Sequence, residues 1–160
     1  MIEEILEMLE ADGRLTPKQI AVLLGRDEAE VAATIKELEE KKIIQGYFAL
    51  IHWDKVKVDR VSAAIEVKIS PQREVGFDAI AERIYRFPEV SSVRLMSGAY
   101  DLLVMIKGRT LQEVADFVSN KLATIENVVS TSTHFVLKTY KYHGVILDDK
   151  EEDRRLVVTP

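Results

Sequence analysis

The sequence predicts an α+β protein in two units: three short helices with a following β-rich run, then a β-α-β-β-α-β succession. Two observations carry this expectation. Apolar residues recur at helical spacing up to about residue 42, and from Val61 they alternate with polar ones at strand spacing. Glycine, proline and capping residues punctuate the joints between those patterns.

In the first unit, Ile2, Ile5, Leu6 and Leu9 place a helix over residues 2–11, which Asp12-Gly13 ends. Thr16-Pro17 starts a second helix: a capping hydroxyl, then proline at a position where its missing N–H costs nothing. Ile20, Leu23 and Leu24 form its apolar face, and Gly25 stops it. Asp27 caps a third helix, with Glu30 completing a capping box and Val31, Ile35 and Leu38 as the buried stripe. Residues 43–51 then form a β-rich run with one glycine. Three helices with a tight turn between the last two, then a β-segment, outline a winged helix-turn-helix. The same spacing also fits a generic three-helix bundle or a protein-interaction domain.

Residues 1–52 form this first domain and 53–60 read as a linker. Val61, Ala63, Ile65, Val67 and Ile69 alternate with Ser62, Ala64, Glu66 and Lys68, a strand with one wet face that Pro71 closes. Phe77, Ile80, Ala81, Ile84 and Phe87 make a helix ended by Pro88. Val90 to Met96 is the second strand, Ser97-Gly98-Ala99-Tyr100 a turn, and Leu102 to Ile106 the third strand. Thr110 caps a helix running through Leu122, and Val128 to about Tyr142 is a long final strand. The order is that of a ferredoxin-like split βαβ spanning residues 61–145, with both helices on one face of the sheet. The uncovered face predicts pairing with a second copy. Residues 146–160 read as a charged tail in which Leu156-Val157-Val158 forms either an edge strand or a frayed end.

The 160 residues are 47% apolar and 31% charged, ordinary for a soluble globular protein. No apolar run approaches the roughly 20 residues of a membrane span. The acidic start, Met1-Ile2-Glu3-Glu4, lacks the basic region of a signal peptide, so a cytoplasmic location is expected. With no cysteine there is neither a disulfide framework nor a thiolate zinc site. The net charge of −5 sits wholly in residues 1–52, where six Lys/Arg face eleven Asp/Glu. That is the reverse of an ordinary DNA-binding segment.

Several segments, in order, carry a resemblance over about residues 1–145. They are Leu15-Thr16…Leu23-Leu24-Gly25, Val31…Ile35-Lys36-Glu37-Leu38-Glu39-Glu40, Ile43-Ile44-Gln45-Gly46-Tyr47, Pro88-Glu89-Val90, Ser97-Gly98-Ala99-Tyr100-Asp101 and Thr131…Thr133…Val136-Leu137…Lys141. The chain resembles the Lrp/AsnC family of bacterial and archaeal transcription regulators. That resemblance implies a helix-turn-helix at about Leu15–Thr34 with a recognition helix over 27–41, and an ACT-like sensor domain. It also implies homodimers, often rings of dimers, and duplex DNA and an amino acid or related metabolite as partners. No cofactor, metal or enzymatic activity is expected.

A recognition helix presents its N-terminal half to base edges, where similar regulators carry Arg or Lys. Here that face holds Glu28, Glu30, Ala32, Ala33 and Thr34, with Arg26 and Lys36 the only cations, and Lys42 stands where the family usually has glycine. The DNA-contact candidates are Lys18, Gln19, Arg26, Thr34 and Lys36; Lys18 and Gln19 can equally be residues that solvate a helix end. In similar regulators the turn after the second sensor strand lines the effector pocket together with the start of the last strand. This carries to Gly98, Tyr100, Asp101, Thr133 and His134. Gly98 can expose backbone N–H groups to a carboxylate while Asp101 pairs with an α-ammonium. Asp101 can alternatively be a turn cap.

Enzyme readings find less support. His52, His134 and His143 share no metal-ligand spacing, and no nucleophile elbow or phosphate loop is present. Sirohaem decarboxylases resemble the same architecture and use histidine and arginine in place of DNA-reading residues, but no His-Arg pair accompanies His52 on the expected wing. A metabolite sensor that has lost DNA binding is the remaining alternative.

Overall fold

The computed structural model describes residues 1–70 and 76–148. It divides into a compact unit Met1–Ile51 and a second that begins at His52. Pro71, expected to close the first strand, lies outside the described residues, as do the charged run beyond Asp148 and Leu156-Val157-Val158.

The first unit holds α1 (Ile2–Ala11), α2 (Pro17–Leu24) and α3 (Glu28–Glu40). Thr16 opens α2 with a reciprocal capping box. Its hydroxyl accepts the Gln19 N–H, and the Gln19 side-chain oxygen accepts the Thr16 N–H at 2.9 Å. The box expected at Asp27 is not formed. One Asp27 oxygen instead accepts both the Ala29 and the Glu30 N–H, at 2.9 and 3.2 Å, so no reciprocal bond is needed.

Both α2 and α3 end in Schellman turns: Arg26 N–H donates to Ala21 O and Ile43 N–H to Leu38 O, each at 2.9 Å. The left-handed residue is Gly25 (φ 63°) in the first turn but Lys42 (φ 59°) in the second. A side chain there meets the steric penalty that glycine escapes. Lys42→Gly is therefore expected to raise stability by about 0.5–1 kcal/mol after glycine's greater unfolded-state entropy is subtracted. A chemical-denaturation midpoint that falls would contradict this.

Ile5, Leu9, Ile20, Ala21, Val31 and Ile35 close the first core, with Leu38 also buried. The apolar face of α2 is Ile20, Ala21 and Leu24 rather than the expected set. Leu23 is 64% exposed, because burying small Ala21 beside Ile20 turns residues 22 and 23 outward on a 3.6-residue helix. The β-rich run 43–51 forms no strand. A strand needs a ladder partner, and among the described residues none lies alongside. Tyr47 is tethered instead, its hydroxyl donating to Glu39 at 2.9 Å.

The second unit is a four-stranded antiparallel sheet in the order β2-β3-β1-β4, from β1 (Val61–Ile69), β2 (Val90–Leu95), β3 (Leu102–Gly108) and β4 (Val128–Phe135). This is the ferredoxin-like arrangement. Two helices, α4 (Phe77–Tyr85) and α5 (Leu111–Phe117), pack on one face, and a π-helical turn, Val118–Leu122, continues α5. Ala63, Ile65, Val67 and Ile69 of β1 and Leu102, Val104 and Ile106 of β3 point into this core, where Ile80, Ile84, Val114 and Phe117 meet them. The other face carries Ala64, Leu103 and Met105, all half-buried, beside Glu66 and His134.

The final strand is shorter than expected. β4 ends at Phe135, opposite Ala63; Val136 makes one more bond, its N–H donating to Ser62 O at 2.9 Å, and β1 begins just before that, at Val61. The chain then forms a small hairpin of β5 (Lys141–Tyr142) and β6 (Val145–Ile146). His143 and Gly144 make its turn with φ of 45° and 78°, the left-handed pair that a two-residue hairpin requires.

Candidate nucleic-acid and effector sites

The exposed surface of α3 is fixed by its buried stripe, Val31, Ile35 and Leu38. Glu28, Ala29, Glu30, Ala33, Lys36, Glu37, Glu39 and Glu40 all face solvent. Its one cation, Lys36, lies 3.8 Å from Glu40 one turn on, and the cap residue Lys41 is bonded to Glu37. Thr34 returns its hydroxyl to Glu30 O at 2.9 Å. At the start of α2, Lys18 is exposed and has no side-chain partner among the described residues, whereas Gln19 is committed through its oxygen to the capping box and keeps its amide donors. Arg26, past the end of α2, is also exposed. It is the least of the influences that lower the Glu4 carboxyl, after hydrogen bonding and attraction from the N-terminal ammonium. The helix geometry suits a major groove; its charge opposes one.

The turn between β2 and β3 is a ring of unused donors. Among the described residues, the N–H groups of Ser97, Gly98, Ala99 and Tyr100 have no hydrogen-bond partner, and Gly98 sits at φ 138°. Met96 N–H donates to Asp101 O at 2.8 Å, and Asp101 N–H to Val67 O at 3.0 Å, anchoring the turn to β1. The Asp101 carboxylate is half spent: Oδ2 accepts the Ile69 N–H at 2.8 Å. Sequence reasoning held the cap and ligand roles as alternatives, but a carboxylate has a second oxygen free for another donor.

Thr133 and His134 do not join this turn directly. They lie in the second half of β4 rather than at its start, opposite Ile65 and Ala64, and β1 separates them from β3. Strand alternation sends Thr133 to the helix side and His134 to the open face, where its Nε2 lies 3.2 Å from Ser132 Oγ and 3.6 Å from Glu66. Sequence reasoning passed over residues 53–60 as a linker. Trp53, Asp59 and Arg60 in fact border a shallow, open surface against Lys107, Arg109 and Glu113. The signal available was an aromatic residue among alternating charges.

Among the described residues, no group of His, Asp and Glu could hold a metal ion, and no helix is long and apolar enough to cross a membrane.

Residues 62–146 match the sequence model of the Lrp/AsnC ligand binding domain, and residues 2–45 that of a winged helix-turn-helix DNA-binding domain. The chain is 50% identical over 158 residues to the HTH-type transcriptional regulator YugG of Bacillus subtilis, spanning 98% of this chain and 95% of that protein. It is 27% identical over 142 residues to the proline dehydrogenase transcriptional activator of Rhizobium radiobacter, spanning 89% and 90% respectively. Its fold is similar to the transcriptional regulator NMB0573 of Neisseria meningitidis in complex with L-methionine. There the TM-score is 0.71 at 26% identity, over 88% of this chain and 90% of that one.

Proposed function

The chain belongs to the Lrp/AsnC family of DNA-binding transcription regulators, and from that premise we propose an amino-acid-responsive regulator that acts as a homodimer or ring of dimers. One observation carries the effector half of this reading: four unpartnered backbone N–H groups beside a carboxylate with one free oxygen. Such a set complements a zwitterion, with the N–H groups of 97–100 taking the α-carboxylate and Asp101 the α-ammonium. Gly98 keeps the backbone bare for the approach, and Tyr100, half-buried at the end of the turn, borders it. Thr133 and His134 enter the reading through a second copy. The L-methionine bound by the Neisseria relative and the proline-linked name of the Rhizobium one both favour an amino acid.

The DNA half rests on α2 and α3, with Lys18, Arg26 and Lys36 as the phosphate contacts and Gln19 and Thr34 as polar neighbours. Few cations per copy make avidity between copies the main source of affinity. Exchanging Glu28 and Glu30 for lysine tests which surface meets the phosphates. Each new contact is expected to add roughly −0.9 to the log–log salt slope, so the double variant binds non-specific duplex more tightly and with a steeper slope. Fluorescence anisotropy across a salt series measures both, and an unchanged slope would place this face away from DNA.

A further inference from the structure

We propose that the shallow, open surface at the Arg60 end of β1 is a phosphate-binding site, formed by Arg60, Lys107 and Arg109 around Trp53. It stands apart from the effector turn, which lies at the other end of β3, and does not rest on the reading of that turn. The β1–β3 register pairs Ser62 with Lys107 and Val61 with Gly108, and continuing it by one residue sets Arg60 beside Arg109. Two arginines are thus neighbours at a sheet end, where like charges on adjoining strands oppose each other unless an anion offsets them. None of these three cations has an ion-pair partner among the described residues.

Arg60 is held over the Trp53 ring, 3.8 Å from its centroid, which fixes the guanidinium plane and leaves its N–H edge open. A planar fork of donors with two further cations suits a group carrying two negative charges and several acceptor oxygens, which is a phosphate.

Three carboxylates also border this surface, and two are already hydrogen-bonded. Glu89 is bonded through Oε1 to Lys121, and its other oxygen is buried without a hydrogen-bond partner among the described residues. Glu113 accepts the Arg109 backbone N–H. That backbone bond leaves the Glu113 charge in place, so with Glu89 paired to Lys121 the lining holds three cations against two anions, Asp59 and Glu113. Asp59 therefore weakens phosphate binding, and Asp59→Asn is expected to tighten it.

The phosphate has two sources, a free phosphorylated compound or a nucleic-acid backbone, and Trp53 reports on both. It is the only tryptophan in the chain, so its emission can be followed in the intact protein. Inorganic phosphate, pyrophosphate and a short duplex DNA are each titrated against sodium chloride of matched ionic strength. The Lys107→Ala, Arg109→Ala double variant runs in parallel; both residues are exposed, and a melting curve checks its fold. Losing a charge-assisted contact should weaken binding at least about tenfold. A saturable change with phosphate or pyrophosphate, weakened in the double variant, supports the site with a free compound as ligand. A change with DNA alone, weakened likewise, supports it with the backbone as ligand. A change that chloride reproduces or the double variant retains, or no change with any probe, overturns the proposal.

Discussion

Leu103→Asp is expected to yield a folded monomer whose affinity for operator DNA has fallen about 10²–10⁴-fold, the avidity lost when two linked sites become separate ones. Leu103 lies on the helix-free face of the sheet, directly across from Glu66 on β1, with Ala64 and Met105 completing the apolar centre. In a lone subunit the new carboxylate meets water between Glu66 on β1 and Arg94 on β2, whose opposite cross-strand effects of roughly 0.2–1 kcal/mol each offset one another. In a face-to-face dimer it would be buried, and even beside Arg94 the lost hydration costs several kcal/mol. The variant therefore separates assembly from folding. Sedimentation velocity at micromolar concentration reads the first and a melting curve the second. A variant that remains dimeric would show that the copies meet elsewhere.

Asp101 is expected to separate its two duties between two substitutions. Asp101→Ala removes the acceptor of the Ile69 N–H, leaving a part-buried donor unpaired at about 1–3 kcal/mol, and removes the charge proposed to pair with the α-ammonium. It should lose both thermal stability and amino-acid affinity. Asp101→Asn keeps an oxygen for Ile69 but no charge. It should melt close to the parent yet bind amino acid roughly 10- to 150-fold more weakly, the loss of a charge-assisted bond worth about 1.5–3 kcal/mol. Calorimetric titration with a panel of amino acids, beside melting curves, distinguishes the roles. An asparagine variant that binds as tightly as the parent would reduce Asp101 to a turn cap.

The elements legible in the sequence were those whose signals are local. Thr16-Pro17 and Asp27 start their helices, Gly25 ends one, and the period-2 run from Val61 forms β1 with its buried face as read. The misreadings concern long-range partners. Residues 43–51 have the composition of a strand but no ladder neighbour among the described residues, and Lys138 to Tyr140 outrun the strand they would pair with. Leu23 was misplaced for a packing reason, since nothing local shows that Ala21 would take the buried position. At the candidate site, Asp101 was singled out by its charge in a glycine turn, whereas its bond to Ile69, 32 residues away, needed the fold. Arg60 and Arg109 were invisible for the same reason: only the β1–β3 register makes neighbours of them.

The most direct test of a ligand-responsive DNA-binding regulator is fluorescence anisotropy of the full chain at low salt. The labelled duplex carries the region upstream of its own gene, titrated with and without each amino acid of a panel. Saturable binding that weakens with salt and shifts in midpoint for at least one amino acid is the expected result. Binding to no duplex at low salt, by a protein shown to be folded and assembled, would contradict the account.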